Sequence, residues 1–112
     1  MDETAARERL LRRREELDEE DMISAGDRAP VILDQDSVGR LSRIDAMQVQ
    51  AMALAAERRR QVERQRIEAA LTRLDEGEWG FCLACGKEIA PARLEHDPSV
   101  TSCIECASQG RA

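Results

Sequence analysis

The sequence predicts a mainly α protein: an antiparallel helical hairpin, coiled-coil in character, followed by a small module built on four cysteines. Three observations lead there. Every cysteine of the 112-residue chain falls in two matched pairs near its end, Cys82-Leu-Ala-Cys85 and Cys103-Ile-Glu-Cys106. Charged residues make up 36% of the chain, among many alanines and leucines, a balance that suits long solvated helices better than a globule. The only aromatics, Trp79 and Phe81, stand beside the first cysteine pair, so the rest of the chain lacks the bulk for a thick core. The predicted boundaries are a helical hairpin over residues 1–76 and a cysteine module over 77–112.

Residues 1–23 contain neither Gly nor Pro and carry Leu10, Leu11, Leu17, Met22 and Ile23 among fourteen charged residues. This predicts an exposed helix over about 3–23 with a narrow apolar seam that needs a partner. Asp18, Glu19, Glu20 and Asp21 would sit where the helix dipole disfavours carboxylates, so that end is expected to fray. Gly26, Asp27 and Ala29-Pro30 then break the pattern, and a tip loop is expected over 24–34. Asp34 is a candidate N-cap for the next helix, with Leu33 and Val38 placed to form a hydrophobic staple.

The second helix is expected from about Gln35 to Glu76, with Gly77 ending it. At 1.5 Å per residue it would be on the order of 60 Å long, and the first helix about 30 Å. With a tip loop of ten or so residues the two would lie antiparallel. A pairing with residue numbers adding to about 60 sets Leu17 against Ile44, and Leu10 against Met47 or Val49. Beyond residue 57 the first helix would have run out, leaving a seam of Val62, Ile67, Ala70, Leu71 and Leu74 for the cysteine module or another chain.

Two Cys-x-x-Cys pairs separated by seventeen residues fit a tetrahedral zinc site, because each pair can aim both sulfurs at one point. Cys82, Cys85, Cys103 and Cys106 are therefore the expected ligands of one structural Zn ion. Four protein ligands close the coordination sphere, which leaves no position for water or substrate. Gly86 follows the first pair where a tight turn needs positive φ. His96 reads as a loop histidine between the pairs. The N-terminus, Met1-Asp-Glu-Thr, is charged from its second residue and lacks the apolar core of a signal peptide, so the expected location is cytoplasmic, with reduced thiols.

Charge narrows the function further. The formal net charge is -6, and four thiolates with one zinc would take it to about -8. So acidic a chain is poorly suited to coating DNA by counterion release. Arg58, Arg59, Arg60, Arg64 and Arg66 form a basic run, but their spacing from Glu57, Glu63 and Glu68 lets the face neutralise itself. No apolar run exceeds six residues, Ala51 to Ala56, too short for a membrane span. No nucleophile stands at a readable spacing from a base, and the single histidine gives catalysis little to work with. The protein is not expected to be an enzyme.

The residues Glu78-Trp79-Gly80-Phe81-Cys82-x-x-Cys85-Gly86-x-x-Ile89, then Ala92-Arg93-Leu94-Glu95 and Pro98 before Cys103-Ile-Glu-Cys106, resemble the zinc finger of the DksA/TraR family of bacterial transcription regulators. The resemblance implies direct binding to RNA polymerase without DNA, by insertion of the helical hairpin into the secondary channel. It also implies acidic residues at the hairpin tip, in the pattern Asp-x-x-Asp-x-Ala. Here Asp45-Ala46 matches the end of that pattern, while Ser42 stands where its first Asp is required. The partner-binding tip residues carried over are Asp34, Asp36, Asp45 and Ala46. Two other readings are compatible with the residues. One is a zinc-containing adaptor, or a coiled coil that self-associates through the seam from Val62 to Leu74; the other is a nucleic-acid-binding finger using Arg58 to Arg66 and Lys87.

Overall fold

In the computed structural model the described residues are 1–29 and 40–110. They form helices α1 (Glu3–Arg28), α2 (Arg40–Glu76), α3 (Pro91–His96) and α4 (Ile104–Ser108). The only extended pairing among the described residues is a β-bridge between Phe81 and Glu88. The architecture is an antiparallel helical hairpin followed by a four-cysteine finger. It divides into two compact units, Met1–Glu15 with Arg64–Ala112, and Glu16–Glu63.

In the first unit, Asp2 starts α1 by accepting the Ala5 N–H on its side chain at 2.7 Å, while its carbonyl accepts the Ala6 N–H. That satisfies donors the first turn would otherwise leave orphaned. Arg7 pairs with Asp75 and Arg14 with Glu68, both at 2.8 Å. The residue numbers of each pair add to 82, which fixes an antiparallel register. Ala6 and Leu10, one turn apart on α1, are buried in this unit, as are Ile67, Ala70, Leu71 and Leu74 of α2. Each large aliphatic side chain removed from water contributes about 1.5–3 kcal/mol. The seam expected to await another partner is therefore covered; only Val62, in the other unit, stays 58% exposed. Gly77 ends α2 at φ +75°, with its N–H on the Leu74 carbonyl and that of Glu78 on the Arg73 carbonyl. Both bonds satisfy terminal carbonyls, and the left-handed turn favours a residue without Cβ.

In the second unit Leu17 is fully buried. Arg60 reaches across to Asp21 Oδ1 at 2.5 Å and to Ser24 Oγ at 2.9 Å, and Arg28 bonds Glu57 at 2.9 Å. These pairs add to between 81 and 85, so the expected pairing near 60 is wrong. Ile44, Met47 and Val49 are 43%, 53% and 49% exposed and are not buried partners of α1. Part of the shift comes from the end of α1, which continues past Ile23 to Arg28. There the Arg28 guanidinium also donates to the Asp21 carbonyl at 2.7 Å and to Ser24 Oγ at 3.0 Å, tying the last turns together. A longer first helix moves the chain reversal onward and shifts every pair. The expected fraying at Asp18 to Asp21 fails for the same reason: the helix end has moved to a basic residue, which the dipole favours. Asp34 and Asp36, with the staple residues Leu33 and Val38, lie outside the described residues.

The arginines of α2 also find partners beyond their own helix. Arg60 pairs with Asp21 and Arg66 with Asp97, while Glu57 and Glu68 take Arg28 and Arg14. Among the described residues no helix is long and apolar enough to cross a membrane.

Candidate metal centre

Short-range chemistry builds the site. After Gly77, the chain from Gly80 to Ile89 folds back on itself: the Cys82 N–H bonds the Lys87 carbonyl at 2.8 Å, the Gly86 N–H bonds Cys82 at 2.9 Å, and the Ile89 N–H bonds Gly80 at 2.8 Å. Gly86, at φ +76°, makes the reversal possible. The second pair is presented by α4. Cys103 is its N-cap, and its sulfur accepts the Cys106 N–H at 3.5 Å. One bond between backbones, Leu83 N–H to the Thr101 carbonyl at 2.9 Å, holds the two halves together.

The result brings the sulfurs of Cys82, Cys85, Cys103 and Cys106 within 4.8 Å of one another. Cys85 Sγ and Cys103 Sγ are 3.8 Å apart. A tetrahedron with Zn–S bonds of about 2.3 Å has edges of about 3.8 Å, whereas a disulfide needs about 2.05 Å. The donor set thus fits a structural zinc. Backbone hydrogen bonds from Cys103 and Cys85 pull the Cys82 thiol down to about 6. The Cys106 thiol is pushed up to about 12 by its hydrogen bond with Cys103 and by burial.

Around the cluster, Trp79 is buried and donates its indole N–H to the Pro98 carbonyl at 2.9 Å. Arg93 Nε donates to the Ser102 carbonyl at 2.8 Å. Pro91 opens α3 at a position where its missing N–H costs nothing. His96 closes α3 instead of lying in a loop, and its exposed side chain is not among the clustered ligands. Arg9 of α1 donates to the carbonyls of Glu95 and His96 and so caps the end of α3. Burial alone would raise the Asp97 carboxyl. Hydrogen bonds from the Ser99 side chain and backbone, together with the Arg66 guanidinium 2.6 Å away, outweigh it and hold the group below the usual carboxylate range.

Sequence reasoning missed three of these features. Asp2 as a cap and Asp97-Pro98-Ser99 as a side-chain-stabilised turn carried recognisable local signals. Arg9 carried none, because its partners are backbone carbonyls far along the chain. Of the tip residues, Asp45 and Ala46 are exposed on α2, in the second unit.

Fold and site together define a small zinc-finger protein with a helical hairpin and one structural zinc. Residues 77–109 match the model of the prokaryotic dksA/traR C4-type zinc finger. The finger of this chain is thus similar to that of the dksA/traR type. It is similar to the RNA polymerase-binding transcription factor DksA of Haemophilus influenzae, with 46% identity over 41 residues, 37% of this chain and 28% of that protein. The same factor from Escherichia coli is 39% identical over 41 residues, 37% of this chain and 27% of the relative. These matches therefore span little more than a quarter of those relatives. The likeness to the structure of transcription factor DksA2 from Pseudomonas aeruginosa is wider. It has a TM-score of 0.76 at 26% identity and covers 96% of this chain and 81% of the other.

Proposed function

We propose that this protein is a transcription regulator that binds RNA polymerase directly and inserts its helical hairpin into the secondary channel. On this reading it is a cytoplasmic protein and not an enzyme. The observation that carries the reading is the fold match to DksA2 over 96% of the chain, hairpin and finger together. In this role Cys82, Cys85, Cys103 and Cys106 hold a zinc that shapes the finger, and the finger serves as the base of the hairpin. A narrow pair of helices suits passage through a pore. The carboxylates carried over for the tip, Asp45 with Asp34 and Asp36, would act on a magnesium site or on the mobile elements around it. Regulation then follows from unequal affinity for two conformations of the polymerase, which changes the lifetime of promoter complexes.

The test is a titration of the zinc-loaded protein against bacterial RNA polymerase core enzyme, with promoter-complex lifetime measured in parallel. Saturable binding is expected, and Asp45→Asn and Asp36→Asn should remove the effect on lifetime while leaving affinity within about threefold. Absence of binding at physiological salt would sink the reading.

A further inference from the structure

The finger carries apolar side chains that its own packing does not use. Along Phe81-Cys82-Leu83 burial alternates: Cys82 is 2% exposed and joins the sulfur cluster, while Phe81 and Leu83 are 44% and 65% exposed. Ile104 holds the place after Cys103 that Leu83 holds after Cys82, and it is 60% exposed. The sulfurs of those two cysteines lie within 4.8 Å of each other, and the Leu83 N–H bonds the Thr101 carbonyl, three residues before Ile104. Both apolar residues are therefore within reach of one partner segment. The core of the finger needs neither, since Trp79, Ile89 and Leu94 fill it. One exposed leucine is ordinary, but three large apolar side chains on a short, hydrogen-bonded turn mark a contact surface.

Charge decides what that surface fits. Phe81 pairs across the β-bridge with Glu88, and the bonds on either side, Cys82 N–H to Lys87 and Ile89 N–H to Gly80, make this a non-hydrogen-bonded pair, the kind whose side chains stand closest. Glu78, three residues before Phe81, and Glu105, directly after Ile104, are exposed as well. None of the three carboxylates has an ion pair or hydrogen bond among the described residues, and Lys87 beside Glu88 offsets them only in part. A second copy would set these carboxylates against their own kind. Nucleic acid and anionic lipid would meet the same repulsion. The surface fits a protein segment whose apolar side chains are flanked by lysine or arginine.

We propose that Phe81, Leu83 and Ile104, rimmed by Glu78, Glu88 and Glu105, form a docking surface for a basic-flanked apolar segment of RNA polymerase. The inference rests on the polymerase reading and adds to it a contact made by the finger. Two contacts on one chain reinforce each other, because the second forms at the effective concentration that the first sets.

Titration of zinc-loaded variants against bacterial RNA polymerase core enzyme, at low and physiological salt, tests it. Leu83→Asp and Ile104→Asp should each weaken binding about tenfold or more, with zinc content and Trp79 emission as in the unaltered chain. The triple exchange Glu78→Gln, Glu88→Gln and Glu105→Gln leaves every apolar side chain in place. It should weaken binding at low salt about threefold or more and flatten its salt dependence, and it decides the matter if an aspartate variant releases its zinc. Binding that all three variants reproduce overturns the docking surface and leaves the polymerase reading standing. Absence of binding by the unaltered chain overturns both.

Discussion

The sulfurs of Cys85 and Cys103 lie 3.8 Å apart although seventeen residues separate them in sequence. Few interactions besides the metal are available to hold them there, since the finger contributes only Trp79, Ile89 and Leu94 as large buried apolar side chains. Zinc binding in such modules is worth about 10–16 kcal/mol at neutral pH, much of it spent on folding. Chelation of the ion, or Cys85→Ser, should therefore unfold the finger. Trp79, the only tryptophan, reports this as a red shift in emission, and metal analysis of the intact protein should give one zinc per chain. Retention of the native Trp79 spectrum after chelation would contradict a structural ion.

Zinc affinity should fall as the solution is acidified. The Cys82 thiol is held down to about 6, while an unfolded thiol titrates near 8.5. A depressed acid contributes its full stabilisation above the unfolded value and loses it as pH falls through the folded one. For Cys82 that window runs from about 8.5 down to about 6. Cys106, pushed up to about 12, must give up its proton to the solvent whenever metal binds. Competition with a chromogenic chelator across pH 5–9, with proton release recorded in weak buffer, checks both statements. A flat profile would refute them.

The helix register gives a contrast between two substitutions. Leu17 is fully buried and Ile44 is 43% exposed. Leu17→Ala should cost about 2–5 kcal/mol, and Ile44→Ala about 0.5 kcal/mol or less. Had the two residues formed one contact, as a shorter first helix would require, their costs would be similar. Urea denaturation of the two variants separates these registers.

That contrast also marks what was legible in the sequence. The helical hairpin and the zinc cluster follow from chemistry local to a few residues: a seam of leucines, and paired cysteines with a glycine after them. The register does not, because it depends on where α1 stops, and Arg28 decides this by reaching back to Asp21 and Ser24 and across to Glu57. No local pattern announced that Gly26 would be accommodated inside a helix. The same holds for Arg9, whose role depends on two carbonyls at the end of α3. Asp45 was identified from a motif, and the fold places it on an exposed helix face without showing what it meets.

Asp97 supports the finger through several modest bonds. Its Oδ1 accepts the Ser99 hydroxyl at 2.6 Å and the Ser99 N–H at 3.0 Å, and its Oδ2 meets Arg66. The ion pair is partly exposed, with side chains 47% and 37% accessible, so it contributes little beyond about 0.5 kcal/mol. Most of the effect should come from the turn. Asp97→Ala is expected to cost about 1–2 kcal/mol, and Arg66→Ala clearly less. Equal costs in thermal denaturation would assign the stability to the ion pair instead.

Arg73 offers a substitution in the stabilising direction. It is only 8% exposed, and its Nη2 is buried with no hydrogen-bond partner among the described residues. Burial lowers its pKa, the sign expected when a cation loses water without gaining an anion. An unsatisfied buried polar group costs about 1–3 kcal/mol. Methionine keeps most of the arginine stem and its contacts while removing the charge. Arg73→Met should therefore leave stability unchanged or raise it by about 1 kcal/mol, with zinc content intact. Arg73→Ala also removes the buried stem, leaves a void, and should destabilise. The two variants are compared by urea denaturation of the zinc-loaded protein. A loss of about 3 kcal/mol or more in the methionine variant, the cost of breaking a paired buried charge, would show that the guanidinium is paired.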